Sequence, residues 1–173
     1  MAGTQTGFEP SRFNRTAESA MGNFVVGWIA GLIATVPMTL FMKAARRGLP
    51  WRQRYVLPPR EITDRVVRRA GFRHDLDEPE MRGLTTLAYF GFGANAGGLY
   101  GLLSRALNLP APVKGPAFGL LVWAFSYIGL LPMAGLFPKA PREPIRRQLI
   151  MIVAHLIWGA ALSASMQTLK ERR

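Results

Sequence analysis

The first long apolar stretch of the chain, residues 23–42, reads NFVVGWIAGLIATVPMTLFM. It contains no charged side chain, and Lys43 follows it directly. About 20 apolar residues, at a rise of about 1.5 Å each, let a helix cross a hydrocarbon core about 30 Å thick. The stretch is too long for the apolar core of a signal peptide and has no small-residue cleavage pattern. It therefore predicts a helix that remains in the membrane.

Three further stretches repeat this pattern along the chain. The uncharged runs are residues 19–42, 83–104, 115–138 and 148–169, although the 173 residues include 22 basic and 10 acidic side chains. This segregation excludes a soluble enzyme domain, a disordered chain and a secreted disulfide scaffold. It predicts an all-α membrane protein, a single integral membrane domain over residues 1–173. We expect a four-transmembrane-helix bundle with spans at about 23–42, 84–104, 116–136 and 148–169.

The longest hydrophilic segment, residues 43–82, predicts one short amphipathic surface helix at about 59–70. Proline precedes it at Pro58 and opens it at Pro59, and Gly71 lies just past its end, an order that is typical of helix termini. Its apolar and small residues share one side of the helix and are Ile62, Thr63, Val66, Val67 and Ala70. Such a helix is expected on the membrane surface or across the ends of the spans.

The distribution of Lys and Arg predicts the orientation. Segment 43–82 carries eleven and segment 139–147 carries four, whereas the other flanks together carry seven. Because positively charged loops stay in the cytoplasm, these two segments are predicted there and both termini outside. The net charge of +12 is expected to meet anionic lipid headgroups rather than nucleic acid. The absence of cysteine excludes disulfides and thiolate metal sites.

Small residues in the first two spans predict close helix packing. Glycine recurs every fourth position at Gly93, Gly97 and Gly101, and again at Gly27 and Gly31. Such spacing lets two helix backbones approach each other within a bundle. A second set, Gly91, Asn95 and Gly98, lies on another side of span two. One of these faces is predicted to pack inside the bundle and the other to contact a partner protein.

Asn95 and His155 are the polar side chains nearest the middle of the predicted spans, where such groups are costly and often functional. We expect a neutral His155 hydrogen-bonded to Asn95, to a threonine or to a carbonyl. Proton handling, or ligation of a pigment or haem, are the alternatives. The acidic cluster after His74 is interpreted as helix capping, with Asp77 as N-cap and Glu80 at N3. No catalytic, cofactor-binding or metal-binding residue is predicted, although lipid or pigment contact stays open.

Several motifs together resemble one known family. They are the run from Gly27 to Thr39 (GWIAGLIATVPMT), the PPREI start of the amphipathic helix, the glycine-rich second span and the closing HLIWGA from His155 to Ala160. Over residues 24–165 the chain resembles the YagU-like family of bacterial inner-membrane proteins, a domain of unknown function. The resemblance implies a small multi-span protein of the inner membrane, loosely linked to acid resistance, with no established catalytic residues.

These observations predict a non-enzymatic protein of the bacterial inner membrane. The leading hypothesis is an accessory or structural subunit that packs against other subunits of a larger respiratory or photosynthetic complex. The alternative is a small transporter or proton-handling protein linked to acid resistance that uses Asn95 and His155. The spans contain no Asp, Glu, Lys or Arg, which proton and ion pathways usually carry. A membrane enzyme ranks third, because no acid, base, nucleophile and metal set converges.

Overall fold

The computed structural model describes residues 12–48, 58–104, 106, 108–130, 133–135 and 145–172. The described part of the chain consists of helices and their connecting turns, without strands. The helices are α1 (Arg12–Arg47), α2 (Pro58–Arg69), α3 (Glu78–Leu103), α4 (Ala111–Ala124) and α5 (Ile145–Glu171). A 3-10 turn, Arg73–Asp75, precedes α3, and a π-helical segment, Phe125–Leu130, extends α4.

Three of the helices are long and apolar enough to cross a membrane. These segments are Glu18–Arg47 in α1, Pro112–Leu130 in α4 with its π-helical extension, and Ile145–Glu171 in α5. The predicted span at 84–104 lies in α3, which has the length, at 26 residues, but is not among the three. Its glycines, tyrosines and Asn95 lower its mean hydropathy. The composition thus supports a membrane protein with three spanning helices.

Helix α1 packs against α3 along one side and against α5 along another, and α5 packs in turn against α4. Helices α3 and α4 meet at the end of the bundle away from α2. There the rings of Tyr100 and Phe118 lie 5.1 Å apart, and Lys114 Nζ donates to the Ser104 carbonyl at 2.9 Å. The core between the helices is built largely from Met and Ala, with Trp158 and Leu162 of α5 at its centre.

Helix α1 continues through Pro37, which has no N–H to donate to the carbonyl of Ile33. Two threonine hydroxyls bond to neighbouring carbonyls of the same helix. Thr35 Oγ1 donates to Gly31 O at 2.8 Å, and Thr39 Oγ1 donates to Thr35 O at 2.6 Å. Such back-bonding by hydroxyl side chains is common where the regular backbone ladder of a helix is interrupted.

The predicted amphipathic helix is confirmed as α2, and it lies across the ends of the other helices. Within it, Glu61 pairs with Arg65 at 2.7 Å, as the spacing of four residues predicts. Glu61 also binds Arg147 of α5 at 2.8 Å. Arg60 binds Glu78 at the start of α3, also at 2.8 Å. The same end of the bundle therefore contains the first turns of α3 and α5.

A second set of contacts links α2 to the chain after α4 and to the start of α3. Arg69 donates to the carbonyls of Ala134 and Gly135 in the turn that follows the π-helical segment. Asp77 and Glu80 form the predicted capping box, with Glu80 N donating to Asp77 Oδ1 at 2.8 Å and Asp77 N donating to Glu80 Oε2 at 2.9 Å. Helix α3 therefore begins at the α2 end of the bundle and runs antiparallel to α1.

Candidate functional site

A glycine ridge joins α1 to α3 through direct backbone contact. A Cβ on Gly27 would collide with the carbonyl oxygen of Gly97, and a Cβ on Gly97 with that of Gly27. A Cβ on Gly31 would likewise collide with the carbonyl oxygen of Gly93. A Cβ on Gly93 would collide with Thr35 Oγ1, and a Cβ on Gly101 would collide with the carbonyl of Asn23. The five glycines of regular spacing all lie in this one antiparallel interface, where no side chain fits.

A second glycine ridge joins α4 to α5. A Cβ on Gly115 would collide with the carbonyl of Gly159, and a Cβ on Gly119 with the carbonyl of His155. Close approach of the backbones replaces side-chain interdigitation in both interfaces, which is how helices gain contact in lipid. The first ridge fixes the position of α3 relative to α1, and the second fixes the position of α5 relative to α4. The two ridges thereby define the space between the two helix pairs.

The second small face of α3 differs from the prediction at Gly98. A Cβ there would lie 2.5 Å from the ring of Phe24, so Gly98 belongs to the α1 interface and is not on a free face. The reason is that the large Phe24 ring reaches past the glycine ridge around α3. Gly91, in contrast, has no described atom within 4 Å of its Cβ position. Asn95 is exposed, and its Nδ2 donates to the Gly91 carbonyl of its own helix at 2.8 Å.

A cavity of about 310 Å³ lies between the helices at the α2 end of the bundle. All five helices contribute to its walls, which are mainly apolar. The lining residues are Thr35, Met38, Met42, Pro59, Ile62, Thr63, Ala88, Tyr89, Phe92, Gly93, Val122, Ser126, Tyr127, Leu130, Met151, His155 and Trp158. None of these side chains carries a formal charge with histidine neutral. The sequence pattern did not predict this cavity.

His155 lines this cavity and is only 6% exposed. Its Nδ1 lies 2.8 Å from the carbonyl oxygen of Met151. A carbonyl can only accept, so Nδ1 carries the proton and Nε2 is left as an acceptor in the neutral ring. Of the partners expected from the sequence, the carbonyl is the observed one. Pairing with Asn95 is wrong, because Asn95 bonds within α3 and is exposed.

Ser126 is the polar side chain in this cavity that sequence reasoning missed. It is 6% exposed, and its Oγ has no hydrogen-bond partner among the described residues. Hydroxyls elsewhere, such as those of Thr35 and Thr39, bond to the carbonyl four residues earlier. Ser126 lies in the π-helical segment, where the wider turn changes that geometry. A buried hydroxyl without a partner costs about 1–3 kcal/mol.

The other polar groups near the cavity are hydrogen-bonded. Trp158 Nε1 donates to Thr35 Oγ1 at 3.3 Å, which links α5 to α1 across the cavity wall. Tyr127 OH donates to the sulfur of Met151 at 3.4 Å. The Tyr127 ring also packs edge-on against His155, with ring centroids 6.0 Å apart. The Tyr127 ring and the Met151 carbonyl together hold the His155 ring in place.

The acidic cluster around the start of α3 forms ion pairs and a cap. Glu78 binds Arg60 and Arg73, and no group of three or more potential metal ligands converges in the described ranges. In α2, the hydrogen bond from Arg68 lowers the pKa of Asp64, and Arg73 adds to the effect. The Asp64 contacts therefore stabilise the fold fully above the ordinary pKa of a carboxyl, and this stabilisation is lost as the pH falls through the lowered pKa of the folded protein.

Comparison of the chain with family models, with curated proteins and with solved structures finds no match. The resemblance to the YagU-like family therefore depends on the quoted sequence motifs alone. The cavity and the exposed side of α3 are therefore the candidate functional sites of the described residues.

Proposed function

We propose that this protein is a non-enzymatic accessory subunit that packs against a larger complex of the bacterial inner membrane, of the respiratory or photosynthetic kind. The contact surface is one face of α3, formed by Leu87, Gly91, Asn95 and Leu99, which we call the α3 docking face. A single observation carries this proposal. Asn95 exposes a polar amide on the outer side of the bundle, one turn from a glycine with open space above it.

An exposed amide midway along such a helix is unfavourable in hydrocarbon. The Nδ2 of Asn95 donates to its own helix, which leaves Oδ1 available to accept from a partner. Gly91 would allow the backbone of a partner helix to come close enough for that bond, as small residues do in membrane interfaces. The expected partner segment is therefore a transmembrane helix with a hydrogen-bond donor opposite a small-residue ridge.

The docking face requires α3 to cross the membrane, and the arrangement of the helix ends supports a fourth span. Helix α1 leads towards α2, and α5 begins beside α2 through the Glu61–Arg147 pair. The turn after α4 also contacts α2, through Arg69. If α1, α4 and α5 span the bilayer, α3 has to carry the chain from the α2 end to the opposite end. We propose that the α2 end is cytoplasmic, that both termini are periplasmic, and that the basic α2 faces anionic headgroups.

The test compares two glycine variants. The two glycines lie on different surfaces of the protein, but both have open space at the Cβ position. Gly91→Leu adds bulk to the α3 docking face, whereas Gly129→Leu adds it to the π-helical segment after α4. Neither Cβ position has a described atom within 4 Å, so both proteins should fold. Purification in a mild detergent with mass spectrometry of co-eluting proteins should recover a membrane subunit with the wild type and Gly129→Leu. Gly91→Leu should lose it.

Two results would contradict the docking proposal. One is recovery of the same partner at equal yield with all three proteins. The other is a wild-type protein that elutes only as a dimer of itself, since the α3 docking face would then join two copies rather than a complex.

A second candidate function, a small transporter or proton-handling protein linked to acid resistance, is favoured by one observation. His155 lies in an internal cavity rather than in tight packing. An imidazole in such a position could accept and release a proton. This candidate predicts a loss of acid survival when His155 is changed in a protein that still folds.

A further inference from the structure

We propose that the internal cavity binds a membrane-soluble molecule that consists of an apolar body with one hydroxyl group. The hydroxyl would bind at Ser126 and His155, and the apolar body would lie along the methionine-lined wall of α1. The lining residues include none of the α3 docking face, although Ala88 and Phe92 at the opening lie on the same side of α3. The inference does not depend on the docking proposal. The cavity has an opening towards the lipid, a volume of ligand size and two polar groups of defined hydrogen-bonding capacity.

The cavity opens on the side of the bundle where α3 and the end of α4 separate. Among its lining residues, Ala88, Phe92 and Leu130 are exposed on the outer surface, with Phe92 49% and Leu130 45% exposed. Nearer the other end of the bundle, Tyr100 and Phe118 close the gap between α3 and α4. A ligand would therefore enter sideways from the hydrocarbon. It would not pass the charged side chains of α2.

The size and polarity of the cavity limit the ligand to a small, uncharged molecule. A volume of about 310 Å³ is at the lower end of the range of about 300–1,000 Å³ for small-molecule pockets. It suits a single ring with a short chain, or one alkyl chain, rather than a two-chain phospholipid. No lining side chain would neutralise an ionised headgroup, and burying an unpaired charge is strongly unfavourable.

Ser126 Oγ and His155 Nε2 specify the polar group of the ligand. Ser126 Oγ is buried without a partner among the described residues and can donate or accept. His155 Nε2 can only accept, because Nδ1 donates to the Met151 carbonyl. A hydroxyl is the simplest group that can donate to His155 and accept from Ser126. A ketone or an ester could accept from Ser126 but would leave the histidine nitrogen without a donor.

The hydroxyl could belong to a phenol, as in a reduced quinone, or to an aliphatic alcohol. Phenols and aliphatic alcohols both provide the hydroxyl group that the cavity requires, and matched probe molecules distinguish the two classes. The probes are 4-hexylphenol, 1-nonanol and hexylbenzene, of which the last has the apolar body of the first without its hydroxyl. The measurement is the shift in thermal unfolding temperature of the full-chain protein in detergent, as a function of probe concentration.

We expect a hydroxylated probe to raise the unfolding temperature at concentrations about tenfold lower than hexylbenzene requires, the scale of one good hydrogen bond. A larger effect of the phenol assigns the ring class, and a larger effect of the alcohol assigns the aliphatic class. If neither hydroxylated probe acts at a lower concentration than hexylbenzene, the proposal is overturned.

Two serine variants test where the hydroxyl binds. Ser126→Ala removes a hydroxyl without a described partner, so the protein should fold as well as the wild type. Its response to the hydroxylated probe should fall to that of hexylbenzene, while its response to hexylbenzene stays unchanged. Ser163→Ala is the control, since Ser163 is also buried but bonds to Ala160 O and does not line the cavity. An equal hydroxyl preference in Ser126→Ala and wild type would rule out this site.

Discussion

The buried histidine shows how one hydrogen bond determines the chemistry of a side chain. His155 donates to the carbonyl one turn earlier in its own helix, so the bond does not hold two helices together. Glutamine can reproduce that donation, whereas leucine cannot. We therefore expect His155→Gln to keep folded yield and unfolding temperature close to wild type, and His155→Leu to destabilise by about 1 kcal/mol, the scale of hydrogen bonds within membranes.

The same pair of variants separates the two candidate functions. Thermal unfolding in detergent measures the structural effect, and survival of cells at low pH measures the physiological one. For an accessory subunit, cells with His155→Gln should survive acid as well as wild type. Acid-sensitive cells that contain normal amounts of folded His155→Gln protein would instead favour proton handling by the cavity.

At the residue scale, the sequence predicted positions that depend on spacing and missed those that depend on helix geometry. The period of Gly93, Gly97 and Gly101 was enough to predict a packing ridge, because four residues bring side chains back to the same face. Ser126 stands in an ordinary apolar run, and nothing in that run indicates a π-helical turn. The environment of Gly98 depends on the ring of Phe24, which is far away in sequence.

At the scale of the helices, the α1–α3 contact should be the least tolerant part of the fold. A Cβ on Gly97 would lie 2.7 Å from the Cα of Gly31 and would also collide with the carbonyl of Gly27. Backbone cannot move aside as a flexible side chain can, and overpacking of this kind typically costs about 1–3 kcal/mol or more. We expect Gly97→Leu to reduce the amount of folded protein in the membrane several-fold.

Gly83→Leu is the matched control on the same helix, since no described atom lies within 4 Å of its Cβ position. Fluorescence-detected size-exclusion chromatography of tagged proteins would compare the yields of folded protein. A normal monomer peak for Gly97→Leu would contradict the observed backbone contact. A loss with both variants would instead indicate that α3 tolerates leucine nowhere.

Helix boundaries were predicted best where local chemistry defines them. The capping residues of α3 and the Pro and Gly that bound α2 place those ends within one or two residues. The first span was predicted at 23–42, whereas α1 runs from Arg12 to Arg47, because apolar runs indicate the segment in lipid and not where the helix ends. The glycines of α3 that contact α1 also lower the mean hydropathy of α3. Close packing requires small residues in that helix, whereas recognition of a membrane span from composition requires large apolar ones.

At the scale of the whole molecule, α2 and its ion pairs connect the elements at one end of the bundle. The Glu61–Arg147 and Arg60–Glu78 pairs put the segments before α3 and before α5 on the same side. For both segments to lie on the same side of the membrane, the chain between residues 78 and 145 must cross the bilayer an even number of times. If α4 is one crossing, the crossing by α3 that we propose is the other. The basic residues of segments 43–82 and 139–147, eleven and four, would both lie on the α2 side in this arrangement, as positively charged cytoplasmic loops do.

This arrangement predicts the location of reporter proteins fused along the chain. Fusions after residue 75 should report the cytoplasm, whereas fusions after residues 108 and 173 should report the periplasm. The fusion at 108 is decisive, because without a crossing by α3 it would report the cytoplasm and the C-terminus would change sides as well. Cytoplasmic signals at both 108 and 173 would leave three spans and would separate Glu61 from Arg147 by the bilayer. A three-span result would therefore contradict both the proposed four-span topology and the ion pair between Glu61 and Arg147.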